Sequence, residues 1–532
     1  MPRIARATLC LGISIGSLPA LAQLPCQVQE LAEPAASYGF GRAVALEGSR
    51  AAIGASNAEV SPGVYGGAVL LYTLAANQLQ AAGSIAASDA QDGDGFGISL
   101  AMSGERILVG AAGDDDQGTE TGSAYVFGLV GGQYVQQAKL LAPTSVSFAR
   151  FAWALDLDGD VAAIGQYGPF SQAGAVHVYR RIGTNWSFDG TLTAPDGGPA
   201  EYFGYSVSVS GDRIAVGALG HPTSGLASAG AAYVYRYQSG AWQFEQKLVA
   251  AQPTANAQVG ISVALDATSV LVGANGEANE GRLHVFTRSG TTWTETQVAA
   301  ASNPGLGDQF GVSIALHGER ALVGASGNGG PSAINAAYEF HRNGTAWSEH
   351  AVLQPLGVPF QRWTGFGQAL ALGDAHALGG SNDPASAQLF ATPGSGCAPL
   401  VGTPIGVALQ DGGSQDLTLS LPAYAGKPYL VLGSISWVPG FSFPTPVDGL
   451  LVELTPDAWT MITLQYANQA PLFHSTFGVL DAFGNARPRL TLPSNAPSEL
   501  AGLSLHHAAL VIDPTVAQVV AATSAVGWKL FQ

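Results

Sequence analysis

Carboxylate side chains are concentrated in two neighbouring stretches of the chain, and their oxygens could bind a metal ion together. The first stretch carries Asp92 and Asp94, and the second carries Asp114, Asp116 and Glu120. If both stretches are loops that emerge on the same face of a β-sheet, their hard oxygen ligands lie close together, as Ca²⁺ requires. We therefore predict a calcium site here, with a solvated acidic patch as the alternative interpretation.

Catalytic groups are harder to find than metal ligands. The sequence contains no G-x-S-x-G, S-x-x-K, H-E-x-x-H or P-loop motif. His506 and His507 are adjacent on an expected strand, so their side chains point to opposite faces, which disfavours a metal pair. These features favour a non-catalytic protein, with loop-borne catalytic residues as the alternative.

Charge and composition exclude several classes of partner. The 532-residue chain has a net charge of −17 and a pI near 4.8, and only 11% of its residues are charged. Nucleic acids and anionic membranes both require clustered Lys and Arg, so we expect neither of them as a partner. Hydrophobic residues make up 47% of the chain, which is enough for a packed core.

Residues 1–22 have the pattern of a signal peptide. Arg3 and Arg6 precede an apolar stretch from Ala7 to Leu18, and Ala20-Leu21-Ala22 matches an A-x-A cleavage site. No later apolar run reaches the roughly 18 residues of a membrane-spanning helix. We expect a protein without a membrane span that a bacterium exports to a secreted, periplasmic or cell-surface location.

The chain carries an internal repeat. A phrase of the type Phe-Gly-x-Ser-Val-x-Val begins at Phe40, Phe96, Phe151, Phe203, Val259, Phe310 and Phe366. These starts are 51 to 56 residues apart, and in every copy a glycine stands 14 residues after the start, at Gly54, Gly110, Gly165, Gly217, Gly273, Gly324 and Gly380. Small residues alternate with large apolar ones after each start, which predicts a strand buried on both faces.

Each copy has the pattern of four short strands, with turns such as Ser103-Gly104 and Ser210-Gly211 between the first two. Seven such units predict an all-β fold, a seven-bladed β-propeller. A β-solenoid, the alternative, usually has a shorter period.

Enzymes with a propeller fold usually work at the mouth of the central channel. In this chain the third residues of the seven copies are expected there, namely Arg42, Ile98, Trp153, Tyr205, Ile261, Val312 and Gln368. This set offers no histidine and no carboxylate pair for acid–base catalysis.

The last copy lacks a fourth strand, and the segment Gln27–Pro34 resembles the missing piece. We predict that this segment closes the ring as the fourth strand of the last blade, so that the propeller spans residues 23–397. Cys26 and Cys397 then lie near each other on that strand. In an exported protein we predict a disulfide between them, the alternative being two unrelated free thiols.

The copies resemble FG-GAP repeats, the units of the propeller at the head of integrin α chains and of many exported bacterial proteins. The fourth copy shows this most clearly, with Phe203-Gly204-Tyr205-Ser206-Val207, Ala215-Val216-Gly217-Ala218 and Gly230-Ala231-Ala232-Tyr233-Val234-Tyr235. The resemblance covers Cys26 to Cys397 and implies the fold strongly and a function weakly. Integrin-type calcium loops read D-x-D-x-D-G-x-x-D; Asp156–Asp160 resembles only their start, because the apolar Ile164 takes the ninth position.

The repeat ends at Cys397, and residues 398–532 form a second predicted domain. Its expected strands include Leu417–Leu421, Tyr429–Leu432, Leu450–Leu454 and Ala508–Ile512. Such a pattern predicts a small β-sandwich. The segment is similar to a C-terminal module of exported proteins from environmental bacteria, which implies location only.

Loop lengths distinguish the two faces of the predicted propeller. The turns from first to second and from third to fourth strand have constant lengths, whereas the second-to-third connections vary and the last fourth-to-first connection is longer. In a meander the variable connections share one face, where insertions can contact a partner without disturbing the packing. We call it the variable-loop face. Its predicted binding residues are Tyr65, Tyr167, Phe170, His221 and Trp363.

These features predict an exported, non-catalytic binding or surface-interaction protein whose partner is an extracellular protein or glycan. Calcium is the one cofactor that the sequence suggests. The alternatives are an extracellular hydrolase or lyase with loop-borne catalytic residues, and a structural component of the envelope or matrix. Variable loops that contact no partner at all are the simplest alternative explanation of the loop lengths.

Overall fold

The structure is a computed structural model that describes residues 26–34, 38–75, 77–302, 304–327, 335–353, 355, 365–382 and 385–391, and beyond residue 391 it describes strands alone. Seven antiparallel four-stranded sheets occupy the part of the chain before residue 392. They are the blades of a β-propeller, so the predicted fold of the repeat region is confirmed.

The blades follow the order of the repeats. Blade one contains β2(Phe40–Glu47), β3(Arg50–Ala55), β4(Ala68–Ala75) and β5(Gln78–Ile85), and blade two contains β6(Phe96–Ser103), β7(Arg106–Ala111), β8(Ser123–Val130) and β9(Gln133–Leu141). Blade three contains β10(Leu155–Asp158), β11(Val161–Gln166), β12(Ala175–Ile182) and β13(Asn185–Leu192), and blade four contains β14(Phe203–Ser210), β15(Arg213–Ala218), β16(Ala231–Gln238) and β17(Ala241–Leu248). Blade five contains β18(Val263–Leu265), β19(Ser269–Ala274), β20(Arg282–Ser289) and β21(Thr292–Ala299), and blade six contains β22(Ile314–His317), β23(Arg320–Ser326), β24(Asn335–Asn343) and β25(Ala346–Leu353). Blade seven contains β26(Ala369–Leu372), β27(His376–Asn382), β28(Ala385–Ala391) and β1(Cys26–Ala32). A single 3₁₀ turn, Glu277–Asn279, interrupts the strands in the described part of the chain.

The last blade takes its outer strand from the N-terminal end of the chain. Its sheet order is β1-β28-β27-β26. The side-chain amide of Gln29 accepts a hydrogen bond from Leu79 N (2.6 Å) and donates one to Leu79 O (3.1 Å), which joins β1 to blade one. Gln246 makes the same two bonds to the backbone of Trp293. The contact that closes the ring is therefore of the same kind as the contact between the outer strands of blades four and five.

Replacing Gln29 with alanine is expected to loosen the closing strand while the propeller stays folded. The change removes two hydrogen bonds, each worth about 1 kcal/mol net, so amide hydrogens of β1 and β28 should exchange faster with solvent. Hydrogen–deuterium exchange mass spectrometry measures this. Gln246→Ala, which removes the same bonds elsewhere in the ring, should leave exchange in β28 unchanged; native-like exchange of β1 in Gln29→Ala would contradict the closing role.

Neighbouring blades interlock through backbone that lies too close to admit a side chain. The recurring glycine lies in the second strand of its blade, where a Cβ would overlap the carbonyl oxygen of the second residue in the next copy. In blade four a Cβ on Gly217 would overlap the carbonyl oxygen of Gly260. In the last blade a Cβ on Gly380 would overlap that of Gly41, in blade one. The close approach of neighbouring sheets therefore requires glycine at this position of every blade. The last blade follows the same rule where it packs against blade one and closes the ring.

A recurring serine bonds to the same carbonyl oxygen that the glycine faces. The hydroxyl groups of Ser206, Ser262 and Ser313 each donate to the carbonyl oxygen of the second residue in the following copy, at 2.5–2.8 Å. The phenylalanine that starts the copy is buried in every blade that has it. In blades two, three, four and six it packs edge-on to a tyrosine of the third strand, as in the 5.5 Å contact of Phe203 with Tyr233. Small residues therefore face the next blade, and aromatic residues fill the space between sheets.

The meander places the two kinds of connection at opposite ends of the blades. Turns within the first and second hairpins lie at one end, and the second-to-third loops lie at the other with the connections between blades. Within the described residues, no helix is long and apolar enough to cross a membrane.

The chain divides into two compact units, one formed by Gln27–Pro355 with Phe360–Thr392 and a second that contains Pro393–Gln532. The strands described in the second unit are β29(Gly406–Ala408), β30(Gly413–Asp416), β31(Leu419–Ser420), β32(Pro428–Ser436), β33(Phe473–His474), β34(Phe477–Val479), β35(Asn485–Ala486), β36(Arg489–Leu492), β37(Ser504–Asp513), β38(Gln518–Ala522) and β39(Val526–Phe531). The longest antiparallel pairing joins β32 to β37. The predicted strand Leu450–Leu454 lies outside the described residues.

Candidate functional site

Five aromatic side chains of blades three and four contact one another on the variable-loop face. We call this group the aromatic patch: Trp153, Tyr167, Phe170, Tyr202 and Tyr205. The rings of Trp153 and Tyr167 are 5.5 Å apart, those of Tyr167 and Tyr202 are 6.0 Å apart, and those of Phe170 and Tyr202 are 5.8 Å apart. The contacts are mostly edge-on, the geometry that aromatic pairs prefer.

The patch is assembled from three different connections and from the start of β14. Trp153 and Tyr205 are the third residues of their copies, Tyr167 and Phe170 lie in the loop between β11 and β12, and Tyr202 precedes β14. Phe170 is 77% exposed, whereas the other four rings are half-buried. The patch therefore has a supported base and an accessible outer ring.

An arginine holds the loop of Tyr167 in place. The Nε and NH2 groups of Arg150 both donate to Glu120 at 2.9 Å, and its NH1 donates to the hydroxyl of Tyr167 at 3.1 Å. Arg150 also bonds through its backbone to Glu120 O. Glu120, a predicted calcium ligand, is thus the ion-pair partner of an arginine that positions the patch.

The patch extends to the mouth of the central channel. The guanidinium carbon of Arg42, in blade one, lies 5.6 Å from the ring centre of Trp153, in blade three, and the rings of Trp153 and Tyr205 are 6.0 Å apart. Blades one and three are not neighbours, so these side chains meet across the channel. All seven third residues of the copies are half-buried, as residues that line a narrow mouth would be.

A second pair of aromatic residues lies in blade one. The rings of Tyr38 and Tyr65 are 6.2 Å apart, and these residues are 56% and 41% exposed. The backbone N–H of Tyr65 donates to the carboxylate of Asp92 at 3.0 Å. Asp92, another predicted calcium ligand, therefore supports the loop that presents Tyr65.

The carboxylates of blade two surround a lysine. Lys139 Nζ lies 2.9 Å from Asp89 and 2.9 Å from Asp114, and it also pairs with Asp116. The hydroxyl of Tyr125 lies 2.8 Å from a carboxylate oxygen of Asp114 and 3.0 Å from one of Asp89, and its single proton is donated to one of the two at a time. The positive charge among these acidic loops is therefore an ammonium group supplied by β9.

The same arrangement recurs in blade four. Lys247 Nζ lies 2.8 Å from Asp196 and donates to Nε2 of His221, and the Tyr233 hydroxyl donates to Asp196 at 2.8 Å. Glu201 pairs with Nδ1 of His221 at 2.5 Å. Asp196, Tyr233 and Lys247 occupy the positions that Asp89, Tyr125 and Lys139 occupy in blade two, and His221 stands at the position of Asp114. Both clusters tie a second-to-third loop to the connection that enters the blade.

Burial and charge shift several pKa values in blade two. For Asp94, burial is the main reason that the pKa rises to about 6, and the nearby Asp114 and Asp116 add to it while the backbone N–H of Gln91 opposes it. For Asp89, burial alone would raise the pKa, but hydrogen bonds from Lys139 and Tyr125 lower it overall. Burial would lower the pKa of Lys139, but its acidic partners raise it overall.

The predicted site residues thus divide into separate groups. Tyr167 and Phe170 belong to the aromatic patch, Tyr65 lies in blade one, and His221 is 4% exposed inside the cluster of blade four. Among the described residues, no three His, Cys, Asp or Glu side chains form a group that could hold a metal ion. Trp363, Cys397 and the side chain of Cys26 lie outside the described residues. The patch role of Trp153, Tyr202 and Tyr205 is not among the predictions from the sequence.

The chain matches no curated protein. Among solved structures it is similar to a chain of a mitotic checkpoint complex, with 11% identity, coverage of 73% of this chain and 99% of that one, and a TM-score of 0.44. It is also similar to a Bacteroides fragilis protein provisionally assigned as a 6-phosphogluconolactonase, with 10% identity, coverage of 62% and 94%, and a TM-score of 0.41.

The sequence model of the FG-GAP repeat matches residues 81–127, 134–179, 186–235, 242–286 and 293–340. Each matched segment runs from the fourth strand of one blade to the third strand of the next. These segments contain the strand glycines and serines through which neighbouring blades interlock. Five consecutive segments of the propeller therefore match the FG-GAP repeat.

Proposed function

We propose that this is an exported, non-catalytic binding protein that contacts an extracellular partner with its variable-loop face. The observation that carries the proposal is the aromatic patch, whose outer residue Phe170 is 77% exposed. Exposed aromatic residues on a rigid base supply most of the binding energy at many protein surfaces. FG-GAP propellers suggest a role in binding or surface interaction, which agrees with this proposal.

The enzyme alternative rests on one observation, the cluster of His221, Glu201 and Lys247 in blade four. Such groups could perform acid–base chemistry. However, blade two holds a similar cluster with Asp114 in the place of His221, and both fasten loops to the blade. We therefore assign the histidine cluster to loop support and keep hydrolase or lyase activity as the second candidate function.

The proposal includes features at the two ends of the propeller. Residues 1–22 act as the signal peptide, Cys26 and Cys397 form a disulfide where β1 closes the ring, and residues 398–532 fold as a β-sandwich. The acidic loops of blade two are the place where calcium would bind. The placement of β1 beside β28 supports the disulfide, because it brings Cys26 to the last blade.

Replacing Phe170 with alanine is expected to weaken binding to the partner at least about tenfold while the protein stays folded, because loss of an exposed anchor removes contact area without leaving a cavity. Ligands are first selected by screening the mature protein against glycans and extracellular proteins, and affinities are then measured by biolayer interferometry. Ile182→Ala is the matched control, because Ile182 is 69% exposed at the end of β12 that lies on the opposite face. Full binding by Phe170→Ala together with lost binding by Ile182→Ala would place the partner on the other face.

A further inference from the structure

We propose that the channel mouth binds a uronate residue of an acidic polysaccharide, with Arg42 pairing with its carboxylate and the aromatic patch packing against its sugar rings. This inference rests on the proposed function, since it names the ligand of the same face. It follows from the contacts of one arginine and from the arrangement of the rings beside it.

Arg42 differs from other arginines of the variable-loop face in its lack of an acidic partner. Arg150 pairs with Glu120, and Arg282 pairs with Glu280. Among the described residues, no carboxylate lies within ion-pair distance of Arg42, whose side chain contacts the ring of Trp153 instead. The net charge of −17 repels a polyanion at long range, so the local pairing of one carboxylate with Arg42 and the ring contacts must outweigh a repulsion that salt screens.

The surroundings of Arg42 make an anionic ligand favourable. The other six third residues around the mouth are uncharged, namely Ile98, Trp153, Tyr205, Ile261, Val312 and Gln368. A half-buried guanidinium beside aromatic rings has lost part of its hydration, and a carboxylate would restore its hydrogen bonds with two parallel N–H···O contacts. An arginine is better suited to this geometry than a lysine.

The aromatic rings indicate the rest of the ligand. They form a connected run from Trp153, beside the cation, through Tyr167 and Tyr202 to Phe170 at the exposed rim, with ring centres 5.5–6.0 Å apart. Sugar rings pack their C–H faces against aromatic rings, so successive rings suit successive sugars. An acidic peptide would also satisfy Arg42, but the main-chain amides of a peptide need hydrogen-bond partners, whereas the patch offers mainly ring surfaces. The combination favours a polymer of sugars that carries carboxylates.

The test compares an acidic polymer with its neutral ester and with a second uronate polymer. Isothermal titration calorimetry is done on the mature protein with polygalacturonate, with its methyl-esterified form and with alginate. We expect at least one of the two uronate polymers to bind, and tenfold or more tighter than the neutral ester. Arg42→Gln should remove this preference, and Arg42→Lys should retain part of it. Arg288→Gln is the matched control, because Arg288 lies on the opposite face and donates to backbone carbonyls there.

The outcomes separate this inference from the proposed function. Absence of binding to both polygalacturonate and alginate, equal binding of the ester, or tighter binding of poly-glutamate would overturn the uronate assignment. So would an Arg42→Gln protein that melts like the native protein and keeps its preference for the acid. If Phe170→Ala still weakens binding of some other ligand in those cases, the variable-loop face remains the binding surface and only the ligand class is wrong.

Discussion

Replacing Gly217 with alanine is expected to destabilise the propeller by about 3 kcal/mol or more. The added methyl group would overlap the carbonyl oxygen of Gly260, just before the first strand of the next blade. That oxygen belongs to backbone and cannot rotate away, so the two sheets would have to separate. We expect the melting temperature to fall by at least about 5 °C, measured by differential scanning calorimetry.

Gly128→Ala is the matched control for this change. Gly128 also lies in a strand, β8, but the atoms that its Cβ would meet belong to the side chain of Gln137, which is exposed and can rotate. The cost should stay within about 1 kcal/mol. Equal melting temperatures for the two variants would show that the spacing between blades is not limited by the recurring glycine.

The sequence shows most of what determines the propeller. The glycine and serine positions recur because each blade repeats the same contact with its neighbour, and a repeated contact leaves a repeated residue. The missing fourth strand of the last copy predicts where the N-terminal segment must go, and β1 lies there. Register inside each blade follows from the same alternation of small and large residues.

The candidate site is less visible because its residues meet through the closed ring. Arg42 and Trp153 are more than one hundred positions apart and belong to blades that are not neighbours, so local spacing cannot connect them. Tyr202 lies in a connection, where side chains follow no period. The loop lengths could identify the face, but they could not show which of its aromatic residues contact one another.

The acidic loops of blade two show a second reason why part of the site could not be predicted from the sequence. A cluster of carboxylates in the sequence suggests a cation, but the ammonium group comes from β9, where Lys139 pairs across the sheet with Tyr125. The sequence does contain a signal for a lysine that pairs with these carboxylates. The repeat region has two lysines, Lys139 and Lys247, and both stand at the same position of their copies. Comparing copies residue by residue would have indicated their shared role.

Replacing Lys139 with methionine is expected to destabilise the protein by about 3 kcal/mol at pH 7. The change preserves the length of the side chain but leaves Asp114, which is 2% exposed, without its cation, beside Asp89 and Asp116. Uncompensated buried charge costs far more than a lost surface ion pair. The measurement is the midpoint of urea unfolding for both proteins.

The pH dependence of this loss follows from the pKa of Asp89, which is lower in the folded protein because its bonds to Lys139 and Tyr125 outweigh burial. A carboxyl group of this kind contributes stability above its unfolded pKa, near 4, and loses that contribution as pH falls through the folded value. The difference between native protein and Lys139→Met should therefore be full at pH 7 and shrink below about pH 4. A difference that is constant with pH would mean that lost packing, rather than charge, causes the effect.

Lys247→Met provides the matched control, because Lys247 has one carboxylate partner, Asp196, and donates to His221. Its cost should be nearer about 1 kcal/mol. The same melts distinguish lysine from calcium as the cation of blade two. If EDTA lowers the native melting temperature and Asp114→Ala abolishes that response, a calcium ion binds there in addition to Lys139. If EDTA and added calcium have no effect while Lys139→Met shows the predicted loss, the ammonium group alone balances the acidic loops.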